Sequence, residues 1–237
     1  MVLGFADAAV TQGAKPVSDR PHRPSVFARM LATHHSTIGQ GLAEAWAPAL
    51  LDELTAMGVT PYVEVNTAGG DVAAYQDFVS GKLDADLAAL VGMLGTWLNA
   101  DVANRLVVAP FAEPNLPEHP WGGDPNGAIQ PYTKVRQAFF DAGIGGDKVR
   151  FVWSVNGGIA NGLTYSDYYP GDQLVDVIGL SKLNRNNPWR DFYATIGGYV
   201  DQIESELSST KPILVTQTGS VTEDGDRAAA SWLFDGV

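Results

Sequence analysis

The chain predicts a parallel α/β barrel, and three observations carry that expectation. Short apolar runs alternate with helical patterns along the sequence, which gives a parallel sheet with helices packed outside it. Seven such runs can be counted. Their C-terminal ends carry polar and aromatic residues, whereas the helix-to-strand turns are plain, as in a barrel with one working face. No G-x-G-x-x-G follows the first run and no phosphate-binding loop appears, which disfavours the alternative of an open doubly wound sheet. The expectation is one domain over residues 1–237, a (β/α)8 TIM-type barrel with its eighth strand missing or truncated, because nothing strand-like follows the last helical pattern.

Taken in order, residues 2–5 are an apolar run and a candidate first strand, and the Pro- and charge-rich residues 11–24 read as a connection. Residues 26–32 lie between Pro24 and T-H-H-S-T, so a strand is favoured over a short helix. Residues 42–57 form an amphipathic helix stopped by Gly58, and 61–66 alternate as a strand ended by T-A-G-G. A helix over 83–98 repeats apolar residues at three and four. The pivotal strand is 105–111, R-L-V-V-A-P-F, where Pro110 and Pro114 prevent a helix from continuing. There follow a helix over 130–142 closed by Gly143, a strand over 149–155 and an aromatic loop over 165–169. A strand over 174–180, a helix over 189–207, a strand over 211–216 and a helix over 226–234 complete the chain.

Composition narrows the function. A net charge of −12 argues against a phosphate backbone and against an anionic membrane surface as partners, so neither nucleic acid nor membrane is expected. No run of 18 apolar residues is present. With no cysteine, disulfides and thiolate metal sites are excluded. The four histidines do not pair at helical spacing and no carboxylate cluster has ligand spacing, so neither metal nor cofactor is expected. No G-x-S-x-G elbow marks a serine hydrolase. No basic and apolar leader opens the chain; a secreted protein with its leader removed is the expectation, a cytoplasmic one the alternative. A monomer is the default.

The chemistry is expected at the strand exits. Glu113 stands just past the fourth strand, before a Pro/Gly/Trp-rich loop, and Gln217 closes the seventh. The bland reading of Glu113 is a solvated loop carboxylate. Retaining glycosidases work with two carboxyl groups on either side of the scissile bond, about 5–5.5 Å apart. Five segments bear on that comparison: S-G-K-L-D at 80–84, F-A-E-P-N at 111–115 with W-G at 121–122, V-W-S-V-N at 152–156, Y-P-G-D-Q-L-V-D-V-I-G-L at 169–180, and K-P-I-L-V-T-Q-T-G-S at 211–220. In order and spacing they resemble glycoside hydrolase family 26, β-mannanases and related endo-glycanases, over roughly residues 60–235. The resemblance implies that Glu113 is the acid/base and that position 217 is the nucleophile's.

The departures carry information too. The family usually has His where Ala112 stands and an aromatic where Leu183 stands, which suggests a substrate other than mannan. At 217 an amide replaces the nucleophilic carboxylate, and an amide cannot form the glycosyl ester at a useful rate. The favoured reading is an isosteric inactivating replacement. The alternatives are a glycan-binding barrel that does not cleave, and an enzyme that uses a substrate acetamido group as nucleophile. The expected partner is an oligo- or polysaccharide. Trp121 and Trp153 are candidate sugar platforms, with barrel core as the competing reading of Trp153. Asn115 and Asn156 would bond sugar hydroxyls or simply close loops. His34 is a candidate after the second strand, Glu64 a candidate at the barrel mouth or in a salt bridge, and Tyr165 and Tyr169 share one aromatic loop.

Overall fold

In the computed structural model, residues 2–3, 27–29, 46–67, 71–159, 162–185, 190–207 and 210–220 are described. Among them, seven parallel strands form one sheet: β1 (Val2–Leu3), β2 (Phe27–Arg29), β3 (Thr60–Val65), β4 (Leu106–Pro110), β5 (Val149–Asn156), β6 (Val177–Asn184) and β7 (Ile213–Ser220). The order is β1-β7-β6-β5-β4-β3-β2. From β2 to β7 each strand lies beside its successor, and β1 pairs with β7 at the far edge. A doubly wound sheet reverses its order midway. This one runs in a single direction, as a barrel does.

The sheet is curled, and one contact shows by how much. The hydroxyls of Ser154 in β5 and Thr216 in β7 meet at 2.7 Å although β6 runs between them. In a flat sheet that two-strand step spans about 9.6 Å. Gly179 of β6 makes the approach possible. A Cβ there would stand 2.7 Å from Val152 Cγ1, 2.8 Å from Thr216 Cγ2 and 2.9 Å from Ser154 Cα. Strand alternation then separates two cores. Tyr62, Val107, Ala109, Val152 and Leu214 form the inner one. Val63, Val108, Phe151, Trp153, Ile178 and Val215 face the other way and join the helices in the larger core.

The helices are α1 (Trp46–Ala56), α2 (Val72–Val79), α3 (Asp84–Ala100), α4 (Pro125–Asp141), α5 (Tyr165–Tyr168) and α6 (Phe192–Leu207). The sequence reading misses α2, two turns started by the Asp71 carboxylate, which accepts from the Ala74 N–H at 2.9 Å. It also starts α4 five residues late. Asp124 caps the helix through Asn126 and Gly127, and Pro125 fits the first turn, where no N–H is needed. Pro131 lies inside α4 and removes the N–H that would bond the Gly127 carbonyl. The Tyr75 hydroxyl of α2 donates to that carbonyl at 2.8 Å, so the orphaned acceptor becomes the joint between the two helices.

Two further expectations are corrected. Residues 174–176 do not begin a strand, because the Gly171 carbonyl accepts from the N–H groups of Leu174 and Val175 and turns the chain there. The strand runs instead from Val177 to Asn184. The aromatic loop at 165–169 contains one helical turn, fixed by reciprocal bonds between Thr164 and Asp167. The connection at 11–24, the helix at 226–234 and any eighth strand lie outside the described residues. Among the described residues, no helix is long and apolar enough to cross a membrane.

Candidate functional site

Glu113 is set by an irregular elbow at the end of β4. Phe111 and Glu113 take left-handed backbone angles, φ +46° and +58°, which cost side-chain-bearing residues about 1–3 kcal/mol each. Neighbouring contacts hold the elbow. The Phe111 N–H donates to the Val65 carbonyl at 2.8 Å and the Glu113 N–H to the Ser154 carbonyl at 2.7 Å. The Phe111 ring packs against Phe78 and Trp121, and Trp121 Nε1 donates to the Ala112 carbonyl at 2.9 Å. Glu113 is thereby turned from β4 toward the end of β5, where Asn156 Nδ2 donates to its Oε1 at 3.0 Å.

Gln217 reaches the same place through an irregular register. Leu180 pairs with Val215 but Ser181 pairs with Gln217, so Thr216 is an extra residue in β7. Simple alternation would send Gln217 to the helix-facing side with Val215. The extra residue re-aims it inward, as bulges near active sites do. Gln217 and Glu113 open into one cavity of about 320 Å³, lined also by Leu116, Asn156, Ser181, Lys182, Leu183 and Arg185. The Ser181 hydroxyl lies 3.4 Å from Gln217 Oε1 and also acts on the Glu113 carboxylate. It has one proton and two acceptors.

Burial pushes the Glu113 carboxyl upward, but hydrogen bonds from His119, Ser181 and Asn156, with the charge of a protonated His119, outweigh it and hold the group at about 2. The side chain is therefore a carboxylate at neutral pH. His119 Nε2 faces Glu113 Oε2 at 3.4 Å, and its ring stacks on Trp121 at 4.7 Å with 4° between the planes. The sequence reading misses His119, which lies in a loop with no period to betray it. It also misses Ser181, although Ser181 shares strand parity with the inward-facing Gly179.

The other expected residues divide. Asn156 lines the cavity. Asn115 is buried behind it, where Nδ2 donates to the carbonyls of Asn156 and Gly158 at 2.9 and 2.7 Å, and Oδ1 accepts from the Asn156 N–H at 2.9 Å. All of its bonds clamp the β4 loop to the β5 loop. Tyr165 is buried and supports the same loop: its hydroxyl accepts from the Gly158 N–H and donates to the Asn156 carbonyl, and burial pushes its pKa up to about 12. Trp121 and Trp153 are 3% and 2% exposed, so neither offers a face to a sugar. Trp153 stands three residues from Asn156, on the opposite side of β5, and packs edge-on against Tyr169. The Tyr169 hydroxyl donates to Asp172 at 2.6 Å. Glu64 is buried on β3. His34 lies outside the described residues. Among the described residues, no group of three or more His, Asp or Glu side chains could hold a metal.

No protein-family model matches the chain, and no curated protein is detectably similar. Solved structures are. A β-mannanase from a symbiotic protist of the termite Reticulitermes speratus, complexed with gluco-manno-oligosaccharide, superimposes with a TM-score of 0.65 over 97% of this chain and 77% of its own, at 17% identity. A modular endo-β-1,4-mannanase of glycoside hydrolase family 26 from Cellulomonas fimi gives 0.63 over 88% and 52%, at 19% identity. A family 26 β-mannanase from Bacteroides ovatus gives 0.53 over 73% and 55%, at 17% identity. The chain thus spans about half the length of the last two. At such identities the likeness is one of fold: this chain is a curled part-barrel with the fold of the glycoside hydrolase family 26 β-mannanases.

Proposed function

We propose that the chain carries the site of a retaining, endo-acting glycoside hydrolase for a β-linked oligo- or polysaccharide, with its nucleophile replaced by Gln217. One observation carries the reading: Glu113 from the elbow after β4 and Gln217 from the C-terminal half of β7 open into one cavity, with the Ser181 hydroxyl acting on both. In the retaining reaction, Glu113 gives its proton to the leaving oxygen while a carboxylate at 217 attacks the anomeric carbon. Glu113 then takes a proton from water, which displaces the enzyme carboxylate. The Gln217 amide does not make that ester, so the chain as it stands binds without cleaving.

A specific observation favours the second reading, a glycan-binding barrel. Asn156 and His119 face the two Glu113 oxygens and hold the group as an anion, which suits an acceptor of sugar hydroxyls better than an acid. Gln217→Glu separates the two. The substitution keeps shape and adds a negative charge to the Glu113 cavity, which raises the pKa of Glu113 toward that of a general acid. Hydrolysis of a β-linked polysaccharide with retained anomeric configuration, and a bell-shaped pH profile, is the expected result. Binding without hydrolysis across a broad glycan panel would select the binding barrel. Hydrolysis by the Gln217 form, confined to 2-acetamido substrates, would select the substrate-assisted reaction.

A further inference from the structure

We propose that His119 is a positioning residue for Glu113: held flat on Trp121, its imidazole fixes Oε2 and sets how readily the carboxyl takes a proton. This rests on the assignment of Glu113 as the acid/base.

The placement of the ring is built from several sides. The His119 N–H donates to the Leu116 carbonyl at 3.3 Å and its carbonyl accepts from the Gly122 N–H at 2.9 Å. Leu116 is tied in turn to the Glu113 carbonyl at 3.1 Å, and Gly123 to that of Pro114. A Cβ at Gly122 would fall 1.7 Å from the Leu116 carbonyl oxygen, so only glycine lets the loop close this tightly. Trp121, anchored through Nε1 to the Ala112 carbonyl, is the shelf on which the ring lies. This gives the buried Trp121 a role at the site that needs no contact with sugar.

The electrostatic consequence follows from what else faces Glu113. Lys182 and Arg185, at the end of β6, line the same cavity, and Glu118 adjoins His119 in the loop. The Lys182 ammonium is turned to the Gly157 carbonyl at 2.6 Å and over the Tyr199 ring at 4.8 Å. Lys and Arg side chains do not ordinarily change charge between about pH 4 and 8, whereas imidazole does. Among these groups, His119 is the one whose ring nitrogen faces the carboxylate, at 3.4 Å from Oε2. As imidazolium it favours the carboxylate, the form that activates water in the second step. As neutral imidazole it keeps the contact and gives up that bias. A nucleophilic carboxylate at 217 pushes the other way.

The test is a carbon NMR titration of the Glu113 carboxyl in the Gln217 protein, which needs no activity. His119→Phe keeps a ring for Trp121 and removes the nitrogen, and His119→Gln keeps a polar donor without the charge. The His119 side chain is 28% exposed, so neither change buries a new group in the core. The Glu113 pKa should rise by about one unit or more in His119→Phe and by less in His119→Gln. In the Gln217→Glu background, the limb of the kcat/KM profile belonging to Glu113 should move by the same amount. No movement of the Glu113 titration in either variant overturns the proposal, whatever the activity. A moved titration in a protein that Gln217→Glu fails to activate sustains the His119 role and removes the glycosidase reading.

Discussion

Asn115→Ala would test whether the site is held from behind rather than from within. Asn115 is 3% exposed and makes three hydrogen bonds, two to Asn156 and one to Gly158. Each is worth about 0.5–1.5 kcal/mol net, so truncation should cost about 1.5–4.5 kcal/mol. The lower half of that range is expected. The Asn156 carbonyl keeps the Tyr165 hydroxyl at 3.3 Å, and water can enter beside a half-buried Asn156. The functional effect is separate. Asn156 is the donor to Glu113 Oε1, so a loosened β5 loop weakens that bond and Glu113 titrates above its present value of about 2. Urea unfolding gives the first quantity and carboxyl NMR the second. For a chain of this size, about 2 kcal/mol corresponds to a fall in Tm of roughly 4–8 °C. A loss below about 0.5 kcal/mol, the ordinary range for surface substitutions, with an unmoved Glu113 titration would refute the clamp.

The remaining predictions concern pH and packing. A carboxyl that titrates at about 2 folded, against an ordinary 4.5, adds stability fully present above pH 4.5 and lost as pH falls toward 2. The difference corresponds to about 3 kcal/mol, and Glu113→Gln should flatten that part of the stability–pH curve measured by denaturant melts. Gly179→Ala drives a methyl group against Ser154 Cα, which no rotamer change can clear, and should cost about 1–3 kcal/mol at the upper end of that range. Gly197→Ala in α6, where a new Cβ meets nothing within 4 Å, should instead gain about 0.5–1 kcal/mol. Equal melting points for the two glycine variants would contradict the curl through β6.

Local pattern determined the architecture. Alternating apolar runs and helical periods mark β3 to β7 and α1, α3, α4 and α6, because burial on a strand or helix imprints its own period on the sequence. The position of Glu113, just past a buried strand and among prolines, was legible for the same reason. Even the core role of Trp153 could be read: three residues from Asn156 along a strand means the opposite face. The parts that escaped depend on contacts between distant segments. Gln217 faces the cavity only because Thr216 breaks the β6–β7 register, and nothing within 211–220 announces an extra residue. Trp121 is buried by Phe111 and Tyr75 from other elements, and α4 tolerates Pro131 because Tyr75, 52 residues from Gly127, takes the freed carbonyl. His119 has a neighbour in Glu113 only once Leu116, Gly122 and Gly123 wind the loop back on itself. The order of apolar runs along the chain already puts polar residues such as Glu113 and Gln217 at or near the C-terminal ends of the strands. Which of them face one another was decided by the tertiary structure, since register, curl and loop closure are properties of pairs of segments and leave no period in either one.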